Sequence, residues 1–191
     1  MYLNCHTGFS FKYGTLSIET LFKEAKRCGV HKLALTEINN TASYMEMLRI
    51  CNKNREHKNG LTKFGQEPYD LDIAVGIEFR KEDELLYIAI AKNNVGFEGI
   101  NRFLSRRNRD GKTLPARAPE FEEAFIIYPF GKIEPGALRE NEYIGVGQRD
   151  IHLYSFYYSK NEYIDKFVIL HPVTFLPPEK KNGKLVYTDH N

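Results

Sequence analysis

The first forty residues switch between two hydrophobic periodicities, and that switch constrains the fold more than any other feature. Met1 to Cys5, MYLNC, is an apolar run of strand length that leads into a turn-forming stretch, His6 to Gly14. Ile18, Leu21, Phe22, Ala25 and Cys28 then recur at helical spacing and predict one buried stripe. Ser17 suits the N-cap, Glu19 favours the helix dipole in the first turn, and Gly29 suits a left-handed stop. His31 to Glu37, HKLALTE, is a second strand. Strand, helix and strand in this order form a βαβ unit, with parallel strands and a right-handed crossover. Sheets built this way gather their sites at the C-terminal ends of the strands. At that end of the first strand, Asn4 and His6 lie two residues apart and share a face.

The same reading carries along the chain. Asn39, Asn40 and Thr41 form a polar turn that can cap a helix bearing Tyr44, Met47, Leu48 and Cys51 on one side. Asn54 to Asp70 reads as a loop. Leu71–Arg80 and Glu84–Ala91 are strands close enough to pair as a hairpin. Val95 to Ser105 is helical, and a basic, irregular segment follows with Arg106, Arg107, Arg109, Lys112 and Arg117. Such a cluster can hold phosphates and is a candidate nucleic-acid contact, although no aromatic residues are interleaved with it. Phe121–Pro129 and Glu142–Gly147 are further strands. Ile151–Tyr158 fits strand or helix, Asn161–Lys166 a short helix, and Phe167–His171 a buried strand closed by Pro172. From Pro177 the chain is polar and reads as the start of a linker, which sets the expected domain at 1–176 and a tail at 177–191.

With 191 residues there is enough chain for one domain with a sizeable core. A formal charge of +2 does not by itself argue for nucleic acid. Three cysteines without a CxxC pair argue against a disulfide framework or zinc finger and fit a reducing, cytoplasmic setting. No apolar run approaches the ~18 residues of a membrane span, and the N-terminus lacks a signal-peptide pattern.

Four segments, in order, resemble one family. Asn4-Cys5-His6-Thr7 with Ser10 is similar to the opening His-x-His-Thr…Ser motif of the PHP domain, the polymerase and histidinol phosphatase superfamily. Ala34-Leu35-Thr36-Glu37-Ile38-Asn39-Asn40 resembles its Leu-Thr-Asp-His-Gly-Asn motif, and Gly76-Ile77-Glu78-Phe79 its Gly-x-Glu-Phe strand. Tyr87 to Ser105, YIAIAKNNVGFEGINRFLS, resembles a block found in the PHP domain at the N-terminus of the alpha subunit of bacterial replicative DNA polymerase III. The resemblance implies an α/β fold, a distorted seven-stranded (β/α) TIM-like barrel of PHP type.

It also implies a site where His, Asp, Glu and Cys side chains hold up to three metal ions. Carried over residue by residue, His6, Glu37 and Glu78 remain as residual metal ligands. Asn4, Ile38, Leu86, Pro172 and Thr174 stand at positions where the donor is degenerate. Ile38, Leu86 and Pro172 offer no donor side chain, and Asn is a weaker transition-metal ligand than His. A catalytic metal needs three or more firm ligands and an open position. No cofactor is therefore expected beyond a residual Zn, Mn or Mg ion. Among the other histidines, His31, His57, His152, His171 and His190, the best substitute ligand is His171 at a strand end.

Three functions follow as expectations. The first is a non-catalytic scaffold in a DNA polymerase III alpha subunit, acting in DNA replication. Its partners would be the rest of that subunit, a proofreading exonuclease subunit, and DNA through the parent protein. The second is a metal-dependent phosphoesterase or 3′–5′ exonuclease using the residual ligands. The third is a free-standing adaptor or DNA-binding module.

Overall fold

Strand β1 (Tyr2–Cys5), helix α1 (Ile18–Arg27) and strand β2 (Lys32–Ile38) form the expected βαβ unit, with β1 and β2 parallel. The computed structural model describes residues 1–58, 71–157, 163–175, 179–181 and 184–186. Helix α1 begins where its cap lies: the Ser17 hydroxyl accepts from the Thr20 N–H at 3.1 Å, and Gly29 takes φ +65° behind the last turn. Helix α2 (Ser43–Lys58) opens behind Asn40, whose Oδ1 accepts from the Ala42 N–H at 2.9 Å. It runs on past Asn54, where a loop was expected, because 54–58 contain no helix breaker. The rest of that expected loop, 59–70, lies outside the described residues.

Strands β3 (Asp72–Lys81) and β4 (Glu84–Ala91) pair antiparallel as the short gap between them requires. Helix α3 (Asn94–Arg109) is capped by the Asn93 side chain, which accepts from the Gly96 N–H at 3.1 Å. It extends past Ser105, so Arg106, Arg107 and Arg109 form the last turn of a helix, not an irregular segment; cations there favour the helix dipole. Strand β5 (Ala124–Pro129) starts three residues later than the sequence suggests, and β6 (Glu142–Val146) follows. The ambiguous aromatic run is helix α4 (Ile151–Tyr157). Only a single 3₁₀ turn, Ile164–Lys166, occupies the described part of the short helix expected at Asn161–Lys166; 161 and 162 lie outside the described residues. Of the run Phe167–His171 expected as one buried strand, only β7 (Phe167–Ile169) forms, with Ile169 82% exposed, and Pro172, expected to close that strand, instead opens β8 (Pro172–Val173). In the stretch read as a polar tail, β9 (Glu179–Lys181) and β10 (Lys184–Val186) form a separate antiparallel pair.

Among the described residues the main sheet has eight strands in the order β7-β6-β5-β4-β3-β2-β1-β8, not the expected seven. Its two edge strands are nearly consecutive in the chain. Ile169 pairs with Val146 at one edge, and Pro172 pairs with Asn4 at the other. Three residue steps span at most ~11 Å, so the sheet must curl until its edges face each other. The eighth strand is thus the second half of the extended run that holds the seventh, divided at Leu170 and His171. This is a mixed α/β barrel-like sheet with a seam.

Packing confirms the curl. One cluster gathers Leu3, Ala34, Ala74, Ile88, Ile90, Ile127, Tyr143, Val168 and Leu170, side chains from every strand between β1 and β7. Only a sheet wrapped around an interior brings these together. Outside the sheet, α1 and α2 cover Cys5, Leu33 and Leu35, while α3 covers Ile77, Phe79, Tyr87 and Ala89. The Tyr87 hydroxyl has no hydrogen-bond partner among the described residues. Removing it in Tyr87→Phe should therefore leave stability unchanged or raise it by up to about 1 kcal/mol, read by urea denaturation.

A buried charge ties the segment after α3 to the sheet. Glu142, 2% exposed, accepts from the Tyr128 hydroxyl at 2.9 Å, the Arg139 N–H at 2.9 Å and Arg117 at 3.0 Å. Arg117, part of the basic stretch in the sequence, is thus held by a carboxylate. Burial pushes the Glu142 carboxyl up, but the Arg139 N–H, Arg117 and Tyr128 together hold it below its ordinary value of 4.5. A depressed folded pKa contributes stability above the unfolded value that is lost as pH falls through the folded one. Glu142→Gln should cost about 1–3 kcal/mol at neutral pH and flatten the loss of stability below pH 4.5, measured by denaturation across that range.

Candidate functional site

Parallel β1, β2 and β3 end at one rim of the barrel, and the turn 6–14 folds over it. Gly14 makes that turn possible. A Cβ there would collide with the Thr7 carbonyl, so only glycine lets the loop return against its own start. The return brings Ser10 beneath the end of β2, where its Oγ accepts from the Ile38 N–H at 3.0 Å.

Strand alternation then sorts the polar side chains into two sets. On the interior side of the strands, the Asn4 amide donates to Glu78 Oε2 at 2.7 Å, and Asn4 Oδ1 accepts from the Thr36 hydroxyl at 2.7 Å. His6 Nε2 lies 3.1 Å from the same Glu78 Oε2. Glu37, one residue out of phase with Thr36, meets the loop instead. Thr7 Oγ1 donates to its Oε1 at 2.5 Å, the Thr7 N–H to its Oε2 at 3.2 Å, and Ser10 Oγ also donates to Oε2. Ser10 joins the sets, because His6 Nδ1 lies 3.2 Å from its Oγ. The structure therefore brings His6, Glu37 and Glu78 into one buried network, but Glu37 reaches the other two only through Ser10.

Arg80 completes the network, and the sequence motifs did not single it out. Its Nε donates to Glu78 Oε1, and its Nη1 donates to Tyr13 Oη at 2.5 Å. The available signal was spacing: on a strand, a residue two beyond Glu78 shares its face. Burial raises the Glu78 carboxyl, but His6 and then Arg80 outweigh it and hold the group below the ordinary carboxylate range. Glu78 is thus an anion with both oxygens engaged.

The network pairs its polar groups closely. Ser10 Oγ donates to Glu37, and His6 meets Ser10 through Nδ1 and Glu78 through Nε2. The Arg80 guanidinium, always charged, faces Glu78. A buried carboxylate paired and hydrogen-bonded in this way is not a stranded charge. A metal ion would have to displace donors from oxygens already in use. Among the described residues no group of three or more His, Cys, Asp or Glu is placed to hold a metal. Nor does Cys5 supply a thiolate: burial and then Glu37 push its thiol up to about 12. The residues as arranged do not fit the metal centre that the resemblance implies.

The remaining candidates are scattered. Ile38 is half-buried and contributes its backbone N–H. Leu86 was expected to face the cavity but packs with Phe79 and Tyr87 in the outer cluster, while Leu85 packs with the interior one. A bulge explains the exchange: Phe79 pairs with Tyr87 but Arg80 with Leu85, so Leu86 has no partner on β3. Pro172 is exposed at the seam opposite Asn4, and Thr174 offers its carbonyl to the Thr15 N–H. His171 is exposed and lines a groove of about 470 Å³ with Tyr2, Leu33 and Val173, and none of the network side chains lines that groove. Arg107 lies over the Phe103 ring, Arg109 and Lys112 face Asp110 at 3.2 and 3.8 Å, and Arg106 is exposed. His57 and His190 have side chains outside the described residues.

Ser10 is the joint of the network. Ser10→Ala would strip a donor from buried Glu37 and an acceptor from both buried His6 and half-buried Ile38. A loss of about 2–4 kcal/mol of stability is expected, with native secondary structure retained, from chemical denaturation followed by circular dichroism.

The profile of the PHP domain family matches residues 3–132 of the chain, more than half of it. No curated protein matches. Among solved structures, one from Bifidobacterium adolescentis, presented as that of a metal-dependent phosphoesterase, is 22% identical with a TM-score of 0.36. The match covers 56% of this chain and 32% of that one, so this chain spans about a third of that protein's length.

Proposed function

Because the chain belongs to the PHP domain family, we propose that it is a PHP barrel whose metal centre has given way to a structural core, making it a non-catalytic scaffold or partner-docking domain. One observation carries this reading: all four carboxylate oxygens of Glu37 and Glu78 already accept hydrogen bonds from the protein itself. Metal-assisted phosphoester hydrolysis needs the opposite arrangement, with oxygens free for the ion and an open position for water. Such a barrel offers rigidity to a neighbouring polypeptide. The block from Tyr87 to Ser105 supports a place in a replicative polymerase alpha subunit, with the remainder of that subunit or a proofreading exonuclease subunit as partner.

A second reading is metal-dependent phosphoester hydrolysis. Family membership and the gathering of His6, Glu37 and Glu78 in one network favour it, and the comparisons lend more to it than to a polymerase setting. Assays of the purified chain with Mn²⁺, Zn²⁺ or Mg²⁺ on a nitrophenyl phosphate and a 3′-recessed primer separate the two. The scaffold reading expects no turnover above the metal alone. Metal-dependent turnover that disappears in His6→Ala would establish the second reading instead.

A further inference from the structure

The residue that closes the network deserves a role of its own, because its placement is over-determined. Arg80 follows Glu78 by two residues on β3, and the bulge at Phe79 and Arg80 resets the pairing at that point. Its backbone is gripped from both sides by one side chain. The Arg80 N–H donates to Asn39 Oδ1 at 2.9 Å, and Asn39 Nδ2 donates to the Arg80 carbonyl at 2.8 Å. Asn39 itself sits at φ +52° just beyond β2, a conformation that asparagine tolerates better than most residues. The guanidinium then spreads over three elements: Glu78 on β3, Tyr13 in the loop over the rim, and the Asp83 carbonyl, at 3.2 Å, in the β3–β4 turn. It also lies over the Tyr13 ring, 4.1 Å from its centre.

We infer that the Arg80 guanidinium serves as a built-in cation, doing for this rim what a metal ion does in a metal-bearing barrel: neutralising Glu78 and drawing the strand ends and their loops together. The inference rests on the scaffold reading above. It explains how a buried carboxylate survives without imported charge. Guanidinium is suited to this task because it is always charged, planar and able to donate in several directions at once. The substitution also differs from ligand decay alone. Ile38 and Pro172 show what the site has lost, whereas Arg80 shows what fills the electrostatic place of the ion.

Melting temperatures of the full chain with Arg80→Met, Glu78→Gln and the double variant test this, each with and without millimolar Zn²⁺ or Mn²⁺. Arg80→Met keeps the stem but removes the guanidinium and the donor to Glu78 Oε1, so it should melt roughly 6–20 °C below the parent. Zn²⁺ or Mn²⁺ should recover several degrees in Arg80→Met while leaving the parent unmoved, and adding Glu78→Gln should abolish that response. The double variant removes both charges and should melt above Arg80→Met alone. If Arg80→Met does not fold, the double variant still decides: failure to fold or to melt at all above the single variant overturns the inference. So does a folded Arg80→Met that ignores both metals, or a parent chain that either metal stabilises equally. Hydrolysis by the parent would overturn the scaffold reading; an inert parent with a metal-blind Arg80→Met overturns only the role given to Arg80.

Discussion

The carboxylate of Glu78 is fully buried among the ends of β1, β2 and β3, and everything around it follows from keeping it there. An isolated ionised carboxylate in such a place is prohibitively costly. Three side chains from two strands meet that demand: Asn4 and His6 from β1 and its end, and Arg80 from β3 itself. Each then needs its own support. Thr36 orients Asn4, Ser10 holds His6, and Tyr13 with Asn39 holds Arg80. The loop over the rim is therefore ordered by a charge at the bottom of it. Its glycine, its serine and its tyrosine answer one electrostatic requirement.

Local patterns made much of the fold legible. Helix α1, the first parallel pair and the β3–β4 hairpin were readable because periodicity, caps and gap length agreed with one another. The errors cluster where local preference had no strong partner. Asn54 to Lys58 is polar without being a helix breaker, so the end of α2 could not be placed. IHLYSFY has the aromatic content of a strand, yet forms a helix. The division of β7 from β8 depends on which distant strand each half pairs with, Val146 or Asn4, and no local window contains that information.

The site divides in a similar way. The family resemblance pointed to Asn4, His6, Glu37, Glu78 and Ser10, and hydrogen bonds join these five side chains in the fold. Motif comparison missed Arg80, since it records which ligands are lost and not which cation arrives. It misjudged Leu86 for a geometric reason: a single bulge exchanges the faces of Leu85 and Leu86, and sequence alignment counts residues without seeing which way they point.

The seam at Leu170 and His171 has a kinetic side. The contact that closes the barrel joins Asn4 to Pro172, almost the greatest chain separation the domain allows. Loop-closure entropy makes such pairings late and slow, so β1 is an open edge with unsatisfied backbone groups until β8 docks. Edges of that kind recruit other strands, including those of other copies. An exposed Pro172 on the closing strand lacks an N–H to offer, which limits how far pairing can propagate beyond β1. Strand β8 thus acts as a latch with little grip of its own, dependent on the rest of the barrel having already formed.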